Sequence, residues 1–157
     1  LAELWPRFEA SMIKHSVLSL LAYGAHTRLT LNQHVLSGNT GDPAPSVRRG
    51  LRMLRRRSAR LQRALCSRYD ARIAVIRGEH ARACELFREH IAACEEQGYA
   101  DEVERGRWAL GQLIGGEEGQ KLRDAAIQAL SDLGYAQPLA DMPTHYPELF
   151  TSRASGP

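Results

Sequence analysis

Two histidine–cysteine pairs, His80/Cys84 and His90/Cys94, stand at i,i+4 spacing. That spacing sets two ligands on one face of a helix and so suits a metal. The pairs start ten residues apart, about 15 Å along a helix at 1.5 Å per residue, so one ion cannot take both. Cys66 can bring a third ligand towards His90 or Cys94 across a hairpin. Cys84 and Cys94 also share a stripe with Phe87 and Ile91, and free cysteine packs as a small apolar group. Burial in a core is the expectation, with no metal and no cofactor. Nucleophilic catalysis needs a Cys or Ser beside a His that an acid orients. His15, His26 and His34 read as helix-face hydrogen-bonding groups, and no nucleophile lies in a recognisable local setting. Gly115-Gly116-Glu117-Glu118-Gly119 has the glycine content of a phosphate loop without its order. No strand precedes it, no Lys-Ser or Lys-Thr follows it, and two glutamates repel phosphate. It reads as a hinge-like connection between helices. The chain is therefore expected not to be an enzyme.

Positive charge is the strongest chemical signal. The net charge is only +3, yet Ser46 to Gly78 holds eleven arginines and one acid, Asp70. That segment carries +10, which leaves −7 for the remainder (3 minus 10). The acids gather next door at Glu79, Glu85, Glu89, Glu95, Glu96, Asp101, Glu102 and Glu104. The run Arg48, Arg49, Arg52, Arg55, Arg56, Arg57, Arg60, Arg63 has the chemistry to meet phosphates. Three adjacent arginines, Arg55-Arg56-Arg57, fan over about 200° of a helix and cannot all face one backbone. No aromatic residue between Ser46 and Arg68 is available to stack on bases. The plain expectation is a solvated face, paired in part with the acidic helix that begins at Glu79. If a partner is met there, Arg52, Arg55, Arg56, Arg60 and Arg63 meet it. A protein or peptide is the expected partner, with nucleic acid as the alternative.

The elements that carry these groups are helical. The 157 residues are 43% apolar, 25% charged and only 6% aromatic, within the globular range and long enough for one core. Ala, Leu, Arg and Glu outweigh Val, Ile and Thr, which argues against a sandwich, a barrel or a Rossmann-type sheet. No apolar run approaches the roughly 20 residues that span a bilayer. Phe8, Met12, Ile13, Val17, Leu20 and Leu21 open one apolar face that continues to Leu36, with Gly24 as a kink or a close helix approach. Residues 38–45 form the clearest loop, with two glycines and two prolines. Ser46 reads as an N-cap. Val47, Leu51, Leu54, Leu61, Leu65, Tyr69, Ile73 and Ile76 then recur at steps of three and four, with Ser58 in the one gap, and predict a single helix of about 30 residues. Gly78 ends it. Ala81, Cys84, Phe87, Ile91 and Cys94 mark the next helix, stopped by Gly98. Asp101 is placed to cap a helix burying Val103, Trp108 and Leu110. Leu122 to Leu133 forms the last long stripe before Gly134. Pro138, Pro143 and Pro147 then forbid a long helix, so the tail is expected to pack Leu139, Tyr146, Leu149 and Phe150 as irregular chain or short turns.

Ala71-Arg72-Ile73-Ala74-Val75-Ile76-Arg77-Gly78 followed by Ala83 and Phe87 is similar to the tetratricopeptide pattern. Ala71 matches that family's small first-helix residue, Gly78 its turn, and Ala83 with Phe87 its second-helix packing pair. His90 stands where the family prefers Ala. A second resemblance lies in Trp108-Ala109-Leu110-Gly111-Gln112-Leu113-Ile114-Gly115-Gly116-Glu117-Glu118-Gly119, followed by an Ala-rich helix and Gly134-Tyr135. It resembles the C-terminal end of large bacterial proteins that join a serine/threonine kinase to a signalling NTPase. That resemblance implies a regulatory interaction region, with the catalysis elsewhere.

The expected architecture is all-α. Antiparallel hairpins would form a tetratricopeptide-like bundle or short right-handed superhelix over residues 1–150, with a disordered tail at 151–157. Leu1 in place of Met suggests a piece of a longer protein or a lost start. An odd number of cysteines and no secretory pattern in residues 1–10 point to a reduced, cytoplasmic setting. The expected function is protein–protein interaction or self-association in a bacterial signalling or regulatory protein.

Overall fold

The computed structural model describes residues 6–7, 18–39, 42–43, 45–56 and 60–151. Among them are eight helices and no strand. They are α1 (Leu18–Leu36), α2 (Pro45–Arg56), α3 (Arg60–Ile76), α4 (His80–Glu95), α5 (Ala100–Ile114), α6 (Gly116–Asp132), α7 (Pro138–His145) and α8 (Glu148–Thr151). The expected apolar residues Phe8 to Val17 and the tail at 152–157 lie outside the described residues. No described helix is long and apolar enough to cross a membrane.

Each long helix packs on the next: α1 on α2, α3 on α4, α4 on α5 and α5 on α6. Three turns share one chemistry. Gly78, Gly98 and Gly134 take φ of +74°, +73° and +95°, left-handed values that cost glycine nothing and other residues about 1 kcal/mol or more. At each, amides return to the preceding helix, as Glu79 N–H does to the Ala74 carbonyl at 2.9 Å.

The core has two main parts that share α3. Tyr23, Leu31, Val47, Leu51, Leu54, Cys66, Tyr69 and Ile73 join α1, α2 and α3. Ala71, Ala74, Ala83, Phe87, Trp108, Ala126, Leu130, Met142 and Tyr146 join α3 to the C-terminal helices. Gly50 lets α1 and α2 touch: a Cβ there would lie 2.3 Å from Thr27 Oγ1.

Several expectations are corrected. The predicted helix of about 30 residues is two, α2 and α3. Arg55 and Asp70 would lie about 22 Å apart on one straight rod, yet Arg55 Nη2 meets Asp70 Oδ1 at 2.7 Å. The chain has folded back, and one unbroken apolar stripe served both helices. Ser46 is not an N-cap, because α2 starts at Pro45. Asp101 does not cap either: the N-cap of α5 is Tyr99, and Asp101 accepts from Arg105 at 2.5 Å and from the Tyr135 hydroxyl at 3.0 Å. Helix α1 runs through Gly24, whose carbonyl accepts the Tyr69 hydroxyl at 2.7 Å.

The segment 115–119 is helical from Gly116 onwards, so the connection shrinks to Gly115. Gly111 and Gly119 are instead the point where α5 and α6 cross. A Cβ on Gly119 would sit 2.4 Å from the Gly111 oxygen, and one on Gly111 2.7 Å from the Gly119 oxygen. The tail folds as the short helices α7 and α8, with Tyr146 and Leu149 buried as expected. Leu139 and Phe150 are exposed, and Met142 takes the core position instead.

Candidate functional site

Helix α2 has the sharpest division of faces in the chain. Val47, Leu51 and Leu54 are buried, while Arg48, Arg49, Arg52, Arg55 and Arg56 are all exposed. At 3.6 residues per turn these five arginines occupy an arc of about 120°. The packing of Val47, Leu51 and Leu54 against Tyr69 and Ile73 fixes which way the arc points.

Arg48 and Arg55 are tied down by the chain's own acids. Arg48 Nη2 lies 2.9 Å from Asp42 Oδ2. Arg77 joins from α3's end, its Nε donating to Asp42 Oδ1 at 2.8 Å. Hydrogen bonding from Arg77 holds the Asp42 carboxyl below the usual carboxylate range. Arg55 grips both oxygens of Asp70, and that bond raises its already high pKa. Arg52, at the middle of the arc, and Arg56 pair with no acid among the described residues. Of the residues expected to meet a partner, Arg52, Arg55 and Arg56 therefore stand together. Arg60 and Arg63 lie on α3, across the break, and their side chains fall outside the described part.

The acidic helix does not neutralise this face. Arg77 approaches a charge at that helix's start, 4.0 Å from Glu79. Glu85 and Glu89 face Arg82 of their own helix. Arg68 and Arg72, counted with the basic segment, are not on the surface at all: they are 6% and 1% exposed. Arg72 Nε and Nη2 grip Glu148 at 2.7 and 2.9 Å, and Nη2 also reaches Asn32 Oδ1 at 2.7 Å. Arg68 donates to Glu102. These ties run from α3 to α1, α5 and α8, and no periodic signal exposes them.

His90 and Cys94 do come together, with Cys94 Sγ 3.6 Å from His90 Nδ1, but in a closed core. His90 Nδ1 faces the Ala64 carbonyl at 2.8 Å. Burial, then the Arg68 charge, pushes the imidazole down to about 4, so it is neutral near pH 7 and donates through Nδ1. Burial pushes the Cys94 thiol up to about 12 and the Cys66 thiol up to about 11. A thiol binds metal only as thiolate. His80 is exposed and Cys66 belongs to the other cluster. Among the described residues no three His, Cys, Asp or Glu side chains gather to hold a metal.

A cleft of about 260 Å³ opens between α5, α6 and α7, where Trp108, Ile127 and Leu139 meet Gln112, Gln120 and Gln128. Its rim is bonded to itself. Gln120 donates to Asp124 at 2.6 Å, Arg123 to the Gly111 carbonyl at 2.9 Å, and Gln128 to Asp132 at 2.9 Å. Small-molecule sites are commonly larger, about 300–1,000 Å³, with polar groups aimed at the ligand. The arginine arc is the better candidate. Comparison with family models, curated proteins and solved structures yields no match for this chain.

Proposed function

We propose that this chain is a non-catalytic protein–protein interaction module that takes an acidic segment of a partner protein on the outer face of α2. One observation carries the reading: five exposed arginines share an arc, and Arg52 and Arg56 have no described acid of their own. Arginine's planar fork suits bidentate bonding to carboxylates. The apolar side of α2 is packed into the core, so the arc is presented on a supported helix. The reading also rests on where the reactive-type side chains lie. His90 and Cys94 are sealed in the core, as a neutral imidazole and a thiol.

Nucleic acid is the second reading, and the same arginines favour it. The arc spans nine residues, Arg48 to Arg56, about 12 Å of helix axis. Proteins held to duplex DNA by charge commonly make about 6–10 phosphate contacts. With Arg48 and Arg55 engaged internally, the described face of α2 falls short of that footprint. A protein segment carrying two or three carboxylates fits it better.

Tetratricopeptide-like hairpins are the architecture we attach to this function. The support is the turn at Gly78 with Ala71, Ala83 and Phe87 each at 0% exposure. The likeness of residues 108–119 to the end of kinase–NTPase proteins is what links the module to bacterial signalling. Within this chain, Gly111 and Gly119 of that segment serve a helix crossing. Three free cysteines suit a reducing, cytoplasmic setting.

The test is binding of a labelled glutamate-rich helical peptide, followed by anisotropy, to the chain and to its Arg52→Glu/Arg56→Glu variant. Reversing both charges is expected to weaken binding at least about 10-fold, in line with the 1–3 kcal/mol typical of charge-assisted bonds. Equal binding by the two proteins removes the arc from the account.

A further inference from the structure

We propose that a second copy of this chain docks on the outward face of α1, forming a weak twofold dimer. This goes beyond the arginine-face reading and uses a different surface. The outward positions of α1 are Leu21, Ala25, Leu29, Gln33 and Leu36, in steps of four, four, four and three. Leu21, Leu29 and Leu36 are 65%, 43% and 74% exposed. Helical rotation puts this stripe on the side of α1 away from Thr27, the residue that touches Gly50 of α2. No described element covers it.

Two features select a copy of the same chain as occupant. The first is charge. Over its 19 residues α1 carries no acid and one arginine, Arg28. Depletion of charge is what marks the centre of an interface, and a nearly neutral face meets its own copy without large repulsion. Two Arg28 side chains about 10 Å apart in water repel by only about 0.4 kcal/mol. The cationic face of α2 has no such freedom.

The second feature is spacing. A twofold interface requires that if residue i meets j, then j meets i. Counted from Leu29, the stripe sits at −8, −4, 0, +4 and +7, so it reads nearly alike in both directions. An antiparallel copy places Leu29 on Leu29, Ala25 against Gln33, and Leu21 against Leu36. Small meets long, and leucine meets leucine.

The contact is modest. Residues 21–36 make about 22 Å of rod, too short to bury the roughly 800 Å² per partner of a standard interface. A micromolar dissociation constant is therefore expected. Sedimentation equilibrium tests it on the 157-residue chain, from about 10 to about 500 µM. The unmodified chain should rise in average mass from 17.5 kDa towards twice that value. Leu29→Glu and Leu29→Lys should each stay at the monomer mass, and an equimolar mixture of the two should associate again. Circular dichroism should show unchanged helix content. If Leu29→Glu fails to fold, Leu36→Glu stands in for it with the same expected loss. A monomer throughout the range, a Leu29→Glu variant that associates like the parent, or a mixture that does not recover would each overturn the proposal.

Discussion

Arg72 and Glu148 show how much a single residue pair can organise. They are 76 positions apart, 1% and 3% exposed, and they tie the C-terminal α8 to α3. Removing one partner of such a pair leaves a buried charge uncompensated. Glu148→Gln should therefore lower unfolding stability by about 3–5 kcal/mol in urea titration. Adding Arg72→Met should recover part of the loss, a coupling that a double-mutant cycle reads directly. His90 gives a pH signature. Its folded pKa lies below the ordinary histidine value, so the unfolded chain binds the proton more readily. The associated stability is fully present above about pH 6.5 and fades as pH falls towards 4, by up to about 3 kcal/mol. Stability measured across that window should fall less steeply in His90→Gln. Neither role was legible beforehand. Arg72 looked like any other arginine in a basic run, and His90 like half of a ligand-spaced pair or a departure from an alanine. Burial of a polar group is a fact of long-range packing, and sequence spacing does not encode it.

Helix identity was largely legible, because apolar steps of three and four survive at every described long element. Helix boundaries were less so. The stripe from Val47 to Ile76 keeps its period across the break between α2 and α3, so periodicity alone predicted one rod. Asp101 had the right side chain for a cap and was recruited by Arg105 and Tyr135 instead. The glycine segment 115–119 misled for a physical reason: its last glycine is there for a crossing, not for a loop. At Gly119 a methyl group would meet backbone, the Gly111 oxygen at 2.4 Å, and backbone cannot rotate away as a flexible side chain can. Gly119→Ala should therefore push α5 and α6 apart and cost about 3 kcal/mol, the upper part of the usual overpacking range, as seen in thermal unfolding. Met142 went unseen because its helix is short and proline-bearing, and four turns of pattern are not available there.

At the scale of the whole molecule, charge was legible as a quantity and not as a surface. Eleven arginines in one segment announced a cationic region. Among the described arginines, folding sends Arg68 and Arg72 inside, pairs Arg48, Arg55 and Arg77 with acids, and leaves Arg52 and Arg56 outward. The described part of that surface is smaller than the count suggested. On the proposed reading, that difference in size favours a protein partner over a nucleic acid, since a small footprint releases few counterions. A competition titration decides between them most directly. The chain is saturated with labelled glutamate-rich helical peptide at about 150 mM salt, where duplex binding driven by charge alone is already weakened, and unlabelled duplex DNA is added in excess. An interaction module of the kind described keeps its peptide. Displacement of the peptide by duplex, with an affinity for the duplex that collapses as salt rises, would contradict the account and make the arginine face a nucleic-acid contact.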